Sequence, residues 1–241
     1  MPNRNPSIME SRISTAMNKL LTAIINDERR TSEKLLKADP GLATALIEKP
    51  NLCHSKIFHW IYAGDTALHL AAAGYRVEIV QQLLAVGADP NASQNHRHST
   101  PLHYAADGCV GGHVWDATRQ VETLRCLIDG GANIHLQDKN GASPLHRAVR
   151  TRCTAAVRYL LKAGADPTMR NKPGSTPFHL AVQNTGRGGS GVDAAVRAQR
   201  EIIKEFLGLG LSPNLKCGRG KTVTEWARSE WIRELLAGNT R

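Results

Sequence analysis

Histidine, cysteine and arginine are the residues of this 241-residue chain whose types and spacing could do chemistry. A zinc site would need ligands at a recognised spacing. His103, Cys109 and His113 give H-x5-C-x3-H, which matches no structural-site pattern. The five cysteines (Cys53, Cys109, Cys126, Cys153, Cys217) are odd in number, scattered and without a C-x-x-C pair. That usage fits free thiols in a reducing compartment, and no histidine base marks any of them as a nucleophile. Gly186–Gly191 is glycine-rich but lacks the preceding strand and the G-K-[ST] of a phosphate loop, so it reads as a flexible insert. No paired carboxylates recur. The expectation is a chain that is not an enzyme and takes no metal or cofactor.

Four of the ten histidines sit at one place in a repeated sequence. Thr66-Ala67-Leu68-His69-Leu70-Ala71 recurs as Thr100-Pro101-Leu102-His103-Tyr104-Ala105, Ser143-Pro144-Leu145-His146-Arg147-Ala148 and Thr176-Pro177-Phe178-His179-Leu180-Ala181. A worn copy, Thr222 to Ala227, has lost the histidine. The histidines are 34, 43 and 33 residues apart, the longest spacing holding an insert of about ten residues around Cys109–Thr118. Thr176 and Thr222 are 46 apart, with a further insert near Arg187–Gln199.

Each copy describes the elements that must position it. Thr or Ser before Pro is a helix N-cap with proline at the first helical position. The alanine-rich turn that follows lets a neighbour approach closely. A second helix shows a stripe of apolar residues, as in Val77, Val80, Leu83 and Leu84. It stops at a glycine (Gly87, Gly131, Gly164, Gly210) suited to the left-handed position after a helix. One such helix pair cannot bury its apolar face alone, so the product is a stacked solenoid.

The motif and period resemble the ankyrin repeat over roughly residues 64–237. That resemblance implies an all-α solenoid with β-turn fingers at about a right angle to the helices, and a structural role for His69, His103, His146 and His179. The divisions expected are 1–13 frayed, 14–63 an N-terminal helical cap and connecting finger, and 64–215 four repeats. The repeats run 64–95, 96–138 with an insert, 139–170, and 171–215 with an insert; 216–241 is a C-terminal capping repeat. Both inserts fall between the two helices of their repeat, and Val192–Arg200 should extend the following helix by about two turns.

In this fold the fingers and the first-helix positions just after the histidine form the concave surface, which directs attention to charge. The net charge is +10, unevenly spread: residues 147–172 hold seven basic side chains and one acidic, whereas 64–146 hold five and eight. Arg147, Arg150 and Arg152, with Arg170 and Lys172 in the next finger, are the first candidate partner-binding group, expected to be exposed. His96, Arg97 and His98 lie in another finger. Phe58, Trp60 and Tyr62 gather three of eleven aromatic residues at a period of two, as in a strand, and either pack the cap or offer anchors. Trp115, in the second-repeat insert, is either tucked onto the helices or a contact residue.

Composition is ordinary for a globular chain, at 41% hydrophobic and 22% charged. No run of about 18–20 apolar residues spans a membrane, and the first thirty residues lack a secretory apolar region. The sequence therefore reads as a non-catalytic module or scaffold, monomeric and cytoplasmic, binding an acidic partner protein through its concave face and fingers. The alternative is nucleic-acid binding through the basic second half, against which stands the lack of a basic-aromatic stacking pattern.

Overall fold

A computed structural model describes residues 6–49, 51–53, 56–57, 59–108, 115–183 and 193–238. Two layers of helices run along it. Helix α1 (Pro6–Asn26) and the first helices of the repeats, α3 (Ala67–Ala73), α5 (Pro101–Ala106), α7 (Pro144–Arg150) and α9 (Pro177–Ala181), pack neighbour on neighbour. The second layer is α2 (Arg29–Ala38), α4 (Val77–Ala85), α6 (Ala117–Asp129), α8 (Thr154–Lys162) and α10 (Asp193–Gly208), packed in the same order. Helices α11 (Val223–Trp226) and α12 (Glu230–Ala237) close the far end.

The local sequence explains each boundary. Thr66, Thr100, Ser143, Thr176 and Thr222 are extended N-cap residues, and each forms a capping box with the residue three positions on. That residue is histidine in four copies and Glu225 in the worn one, whose carboxylate accepts from the Thr222 N–H. Gly87, Gly131, Gly164 and Gly210 all adopt positive φ, between 76° and 95°, as the stop signals required. The first helices are short and their small residues fully buried; Ala67, Ala71, Ala72, Ala105 and Ala148 expose nothing. One core runs continuously from Met17 and Leu20 through Leu68, Leu102, Leu145 and Phe178 to Ile232 and Leu236.

Three details refine the sequence reading. Helix α1 begins at Pro6, within the stretch expected to fray. Helix α10 has sixteen residues where α4 and α8 have nine, so Asp193–Arg200 does extend it by two turns. The two inserts fall between the helices of their repeats, but Cys109, His113 and Gly186–Gly191 lie outside the described residues. The finger before the first repeat is a two-stranded antiparallel sheet, β1 (Asn51–Cys53) with β2 (His59–Ile61), in register Asn51 to Ile61. Among the described residues no helix is long and apolar enough to cross a membrane, and no group of acidic, histidine and cysteine side chains could hold a metal ion.

Candidate interaction surface

The repeat histidines are used up in holding the fingers to the helices. The Thr66, Thr100, Ser143 and Thr176 N–H groups donate to Nδ1 of His69, His103, His146 and His179 over 3.0–3.3 Å. Nε2–H then reaches forward to the next finger, donating to the carbonyls of Ser99 from His69, Ala142 from His103 and Ser175 from His146. In these three only the neutral ring can bond through both nitrogens, whereas Nε2 of His179 is buried without a hydrogen-bond partner among the described residues. Burial, reinforced by the Arg147 guanidinium, pushes His103 down to about 4, and burial also lowers His69, His146 and His179.

A second repeated position shapes the finger tips, five residues before each N-cap. The Asn95 side-chain oxygen accepts from the Arg97 and Ser99 N–H groups, Asp138 from Asn140 and Ala142, and Asn171 from Ser175. In the last finger Cys217 takes this place. Burial alone would raise its thiol, yet backbone N–H groups of Arg219 and Lys221 and the Trp226 indole aimed at the sulfur leave it lowered. Successive tips are joined by backbone hydrogen bonds: Lys139 N–H to the Arg97 carbonyl, 2.7 Å, Lys172 N–H to Asn140, 2.9 Å, and Gly218 N–H to Gly174, 2.8 Å. At the last junction, a Cβ on Gly174 (φ 80°) would sit 2.4 Å from the Gly218 Cα. Glycine is required there for the tips to touch.

Arginine 147 behaves against expectation. It is only 2% exposed, donating to Asp107 at 2.7 Å, to Asp138 at 2.6 Å and to the Ser99 hydroxyl at 2.8 Å. Carboxylates from two other segments, Asp107 and Asp138, close over its guanidinium. Burial would raise Asp107, but hydrogen bonding from His59 and the charges of Arg147 and Arg150 hold it well below the usual carboxylate range. Asp138 is lowered as well, its burial outweighed by Arg147. Arg150 is half exposed and also leans on Asp107, at 3.3 Å. Arg152 is buried in a left-handed turn (φ 60°) and donates to the Gln183 carbonyl. The expected cluster of three exposed, unpaired arginines is therefore corrected. Counting charge along the chain could not reveal that Asp107, 40 residues away, and Asp138, nine residues away, close on the same guanidinium.

The same network continues toward the N-terminal finger. His59 stacks on Tyr104 with ring centroids 4.3 Å apart and lies 3.6 Å from Asp107. The Tyr104 hydroxyl donates to the fully buried Asp65 at 2.8 Å, and the Tyr62 N–H donates to the same carboxylate at 2.7 Å. Asp65, Tyr104, Asp107 and Asp138 were missed by the sequence reading. Only Asp138 carried a signal, its place five residues before the N-cap being Asn95 and Asn171 in the neighbouring repeats.

The aromatic finger is divided. Trp60 points to solvent, 48% exposed, whereas Tyr62 is half-buried and meets the next finger. Its hydroxyl accepts from Arg97 at 2.9 Å, the guanidinium lies 5.4 Å from its ring centroid, and His96 approaches edge-on at 4.7 Å. His96 and His98 are exposed. Phe58 lies outside the described residues. Trp115 is tucked onto the core, its indole N–H donating to Gln120 at 2.9 Å. Arg170 and Lys172 are exposed as expected, on the tip of the finger before α9, and they are not alone. The tip segments 137–142, 170–175 and 216–221 present Lys139, Arg170, Lys172, Lys216, Arg219 and Lys221 to solvent. Their one acid, Asp138, is turned inward against Arg147.

Comparison with known proteins agrees with this architecture. A family model described as ankyrin repeats (3 copies) matches residues 20–115 and 113–217. A crystal structure of an ankyrin repeat domain from Acinetobacter baumannii AYE aligns with a TM-score of 0.66 and 25% identity, covering 91% of this chain and 96% of that one. Nuclear factor NF-kappa-B p105 subunit from Gallus gallus is 35% identical over 91 residues, 36% of this chain and 8% of that protein. NF-kappa-B inhibitor delta from Mus musculus is 34% identical over 90 residues, 36% of this chain and 24% of that protein. The chain thus spans less than a quarter of the length of these curated relatives.

Proposed function

Since the chain belongs to the ankyrin-repeat family, we propose that it is a non-catalytic interaction module whose finger tips, with the rim of the concave face, bind a partner protein with an acidic surface. The observation that carries this reading is the row of exposed cations on tips tied to one another by backbone hydrogen bonds. A surface already fixed in place loses little conformational freedom on binding. Unpaired arginine and lysine gain charge-assisted hydrogen bonds from incoming carboxylates. A relative whose name states that it inhibits NF-kappa-B supports a protein as the target class. Arg147 and Arg152 belong to the supporting framework in this reading, and Trp60 adds an exposed aromatic edge at the N-terminal end.

The test is affinity capture from native lysate, identified by mass spectrometry. The bait is the wild-type chain, compared with the double variant Arg170→Glu and Lys172→Glu. Specific partners retained by the wild type should be lost by the variant while its circular dichroism is unchanged. Equal capture by both would move the interface off the fingers.

A further inference from the structure

The finger tips differ from one another in a graded way, and that gradient constrains what fits them. Aligned on the N-caps, the tip 60–65 carries no Lys or Arg, 94–99 carries Arg97, and 137–142 carries Lys139. The next two carry Arg170 with Lys172, and Lys216 with Arg219 and Lys221. Arg97 is already occupied by Tyr62. The exposed cationic face, without an ion pair among the described residues, therefore spans the three tips from Lys139 to Lys221.

The helices behind the tips set their interval, since packed helices lie about 8–10 Å apart. A polyproline-type extended chain advances about 3.1 Å per residue with three residues per turn. Every third side chain then falls on one face, about 9 Å from the last. A run of acidic residues repels itself into an extended form of this kind.

We infer that the three C-terminal tips bind an extended acidic segment of a partner protein, lying along the row of tips with a carboxylate over each finger. This rests on the reading of the fingers as the partner surface and names the partner's form. Single-stranded nucleic acid fits less well, because it is held by aromatic rings on which bases stack. The segments Gln137–Ala142, Arg170–Ser175 and Lys216–Lys221 contain no aromatic residue.

The experiment is fluorescence anisotropy with labelled ten-residue peptides and the full chain. One peptide carries glutamate at every third position among serine and glycine; a second has the same glutamates contiguous; a third has glutamine in their place. A ten-nucleotide oligo-thymidine is the competing probe. The spaced-glutamate peptide should bind saturably, at least tenfold tighter than the glutamine peptide and several-fold tighter than the contiguous one. The double variant Arg170→Glu and Lys172→Glu should weaken it at least tenfold. Arg125→Glu with Lys162→Glu, the same charge change at exposed sites on α6 and α8, should alter it less than twofold. Tighter binding of oligo-thymidine, equal loss in both variants, no preference for spacing, or no saturable peptide binding would each overturn the inference. If the peptides fail while lysate capture still depends on Arg170 and Lys172, the extended acidic segment is wrong and the finger surface stands. If capture is also indifferent to the fingers, the underlying reading falls with it.

Discussion

Arg147 and Arg170, on a helix and on a finger tip, carry the same guanidinium and do opposite things. Arg147 sits on α7, buried between Asp107 and Asp138, and ties the second and third repeats together. Arg170 stands exposed on a finger tip, its guanidinium donating to the Gly174 carbonyl. The difference lies in which segments the solenoid folds beside each one. A buried guanidinium already paired with two carboxylates is out of a partner's reach. An exposed one on a rigid tip offers both its charge and its fork.

The sharpest way to break this contrast is to remove a counterion of Arg147. Asp107→Ala leaves a buried arginine short of a partner and should cost roughly 3–5 kcal/mol in urea unfolding, because the stranded charge is penalised along with the lost pair. A loss below about 1 kcal/mol would show the network to be ornamental. Tyr104→Phe keeps the stacking on His59 and deletes only the hydroxyl held by Asp65. It should cost about 1.5–3 kcal/mol, the range for a hydrogen bond to a charged group. A variant as stable as the wild type would mean that Asp65 is held by its other contacts alone.

Acidity separates the same two regions. His103 is neutral in the fold down to about pH 4 but takes a proton near 6.5 when unfolded, so the unfolded chain binds more protons between those values. Stability should therefore be full above about pH 7 and fall as pH drops through 6.5. His103 alone should remove about 1 kcal/mol between pH 7.5 and 5.5. His69, His146 and His179, also lowered, act in the same direction. Chemical denaturation at the two pH values measures the sum, and unchanged stability would contradict neutral, buried rings. Asp107, held low, adds its loss only below the ordinary carboxylate range. On the finger tips the effects should be smallest: Arg170→Glu with Lys172→Glu should change folding stability by less than about 0.5 kcal/mol.

The repeat itself was legible because each of its signals is local. N-cap, proline, histidine and terminating glycine lie within one helix pair, and the structure uses all of them as their chemistry suggests. The candidate site was legible only in part. Arg170 and Lys172 were found because a finger tip has nothing to bury its charges. Arg147 was misjudged because its counterions come from the end of α5 and from the finger at Asp138, remote in sequence from one another. Lys139, Lys216, Arg219 and Lys221 were passed over because a basic tip repeats at the period of the solenoid, not along a contiguous run. Trp115 and Tyr62 were left between two readings, and the Gln120 and Arg97 hydrogen bonds account for where they sit.

The arginine on α7 holds the fold and the arginine on the finger tip faces outward. Urea unfolding of Arg147→Ala and Arg170→Ala, side by side at pH 7.5, tests it most directly. Arg147→Ala, which strands two buried carboxylates, should lose roughly 3–5 kcal/mol, and Arg170→Ala less than about 0.5 kcal/mol. Equal losses, or a larger one for Arg170→Ala, would contradict it.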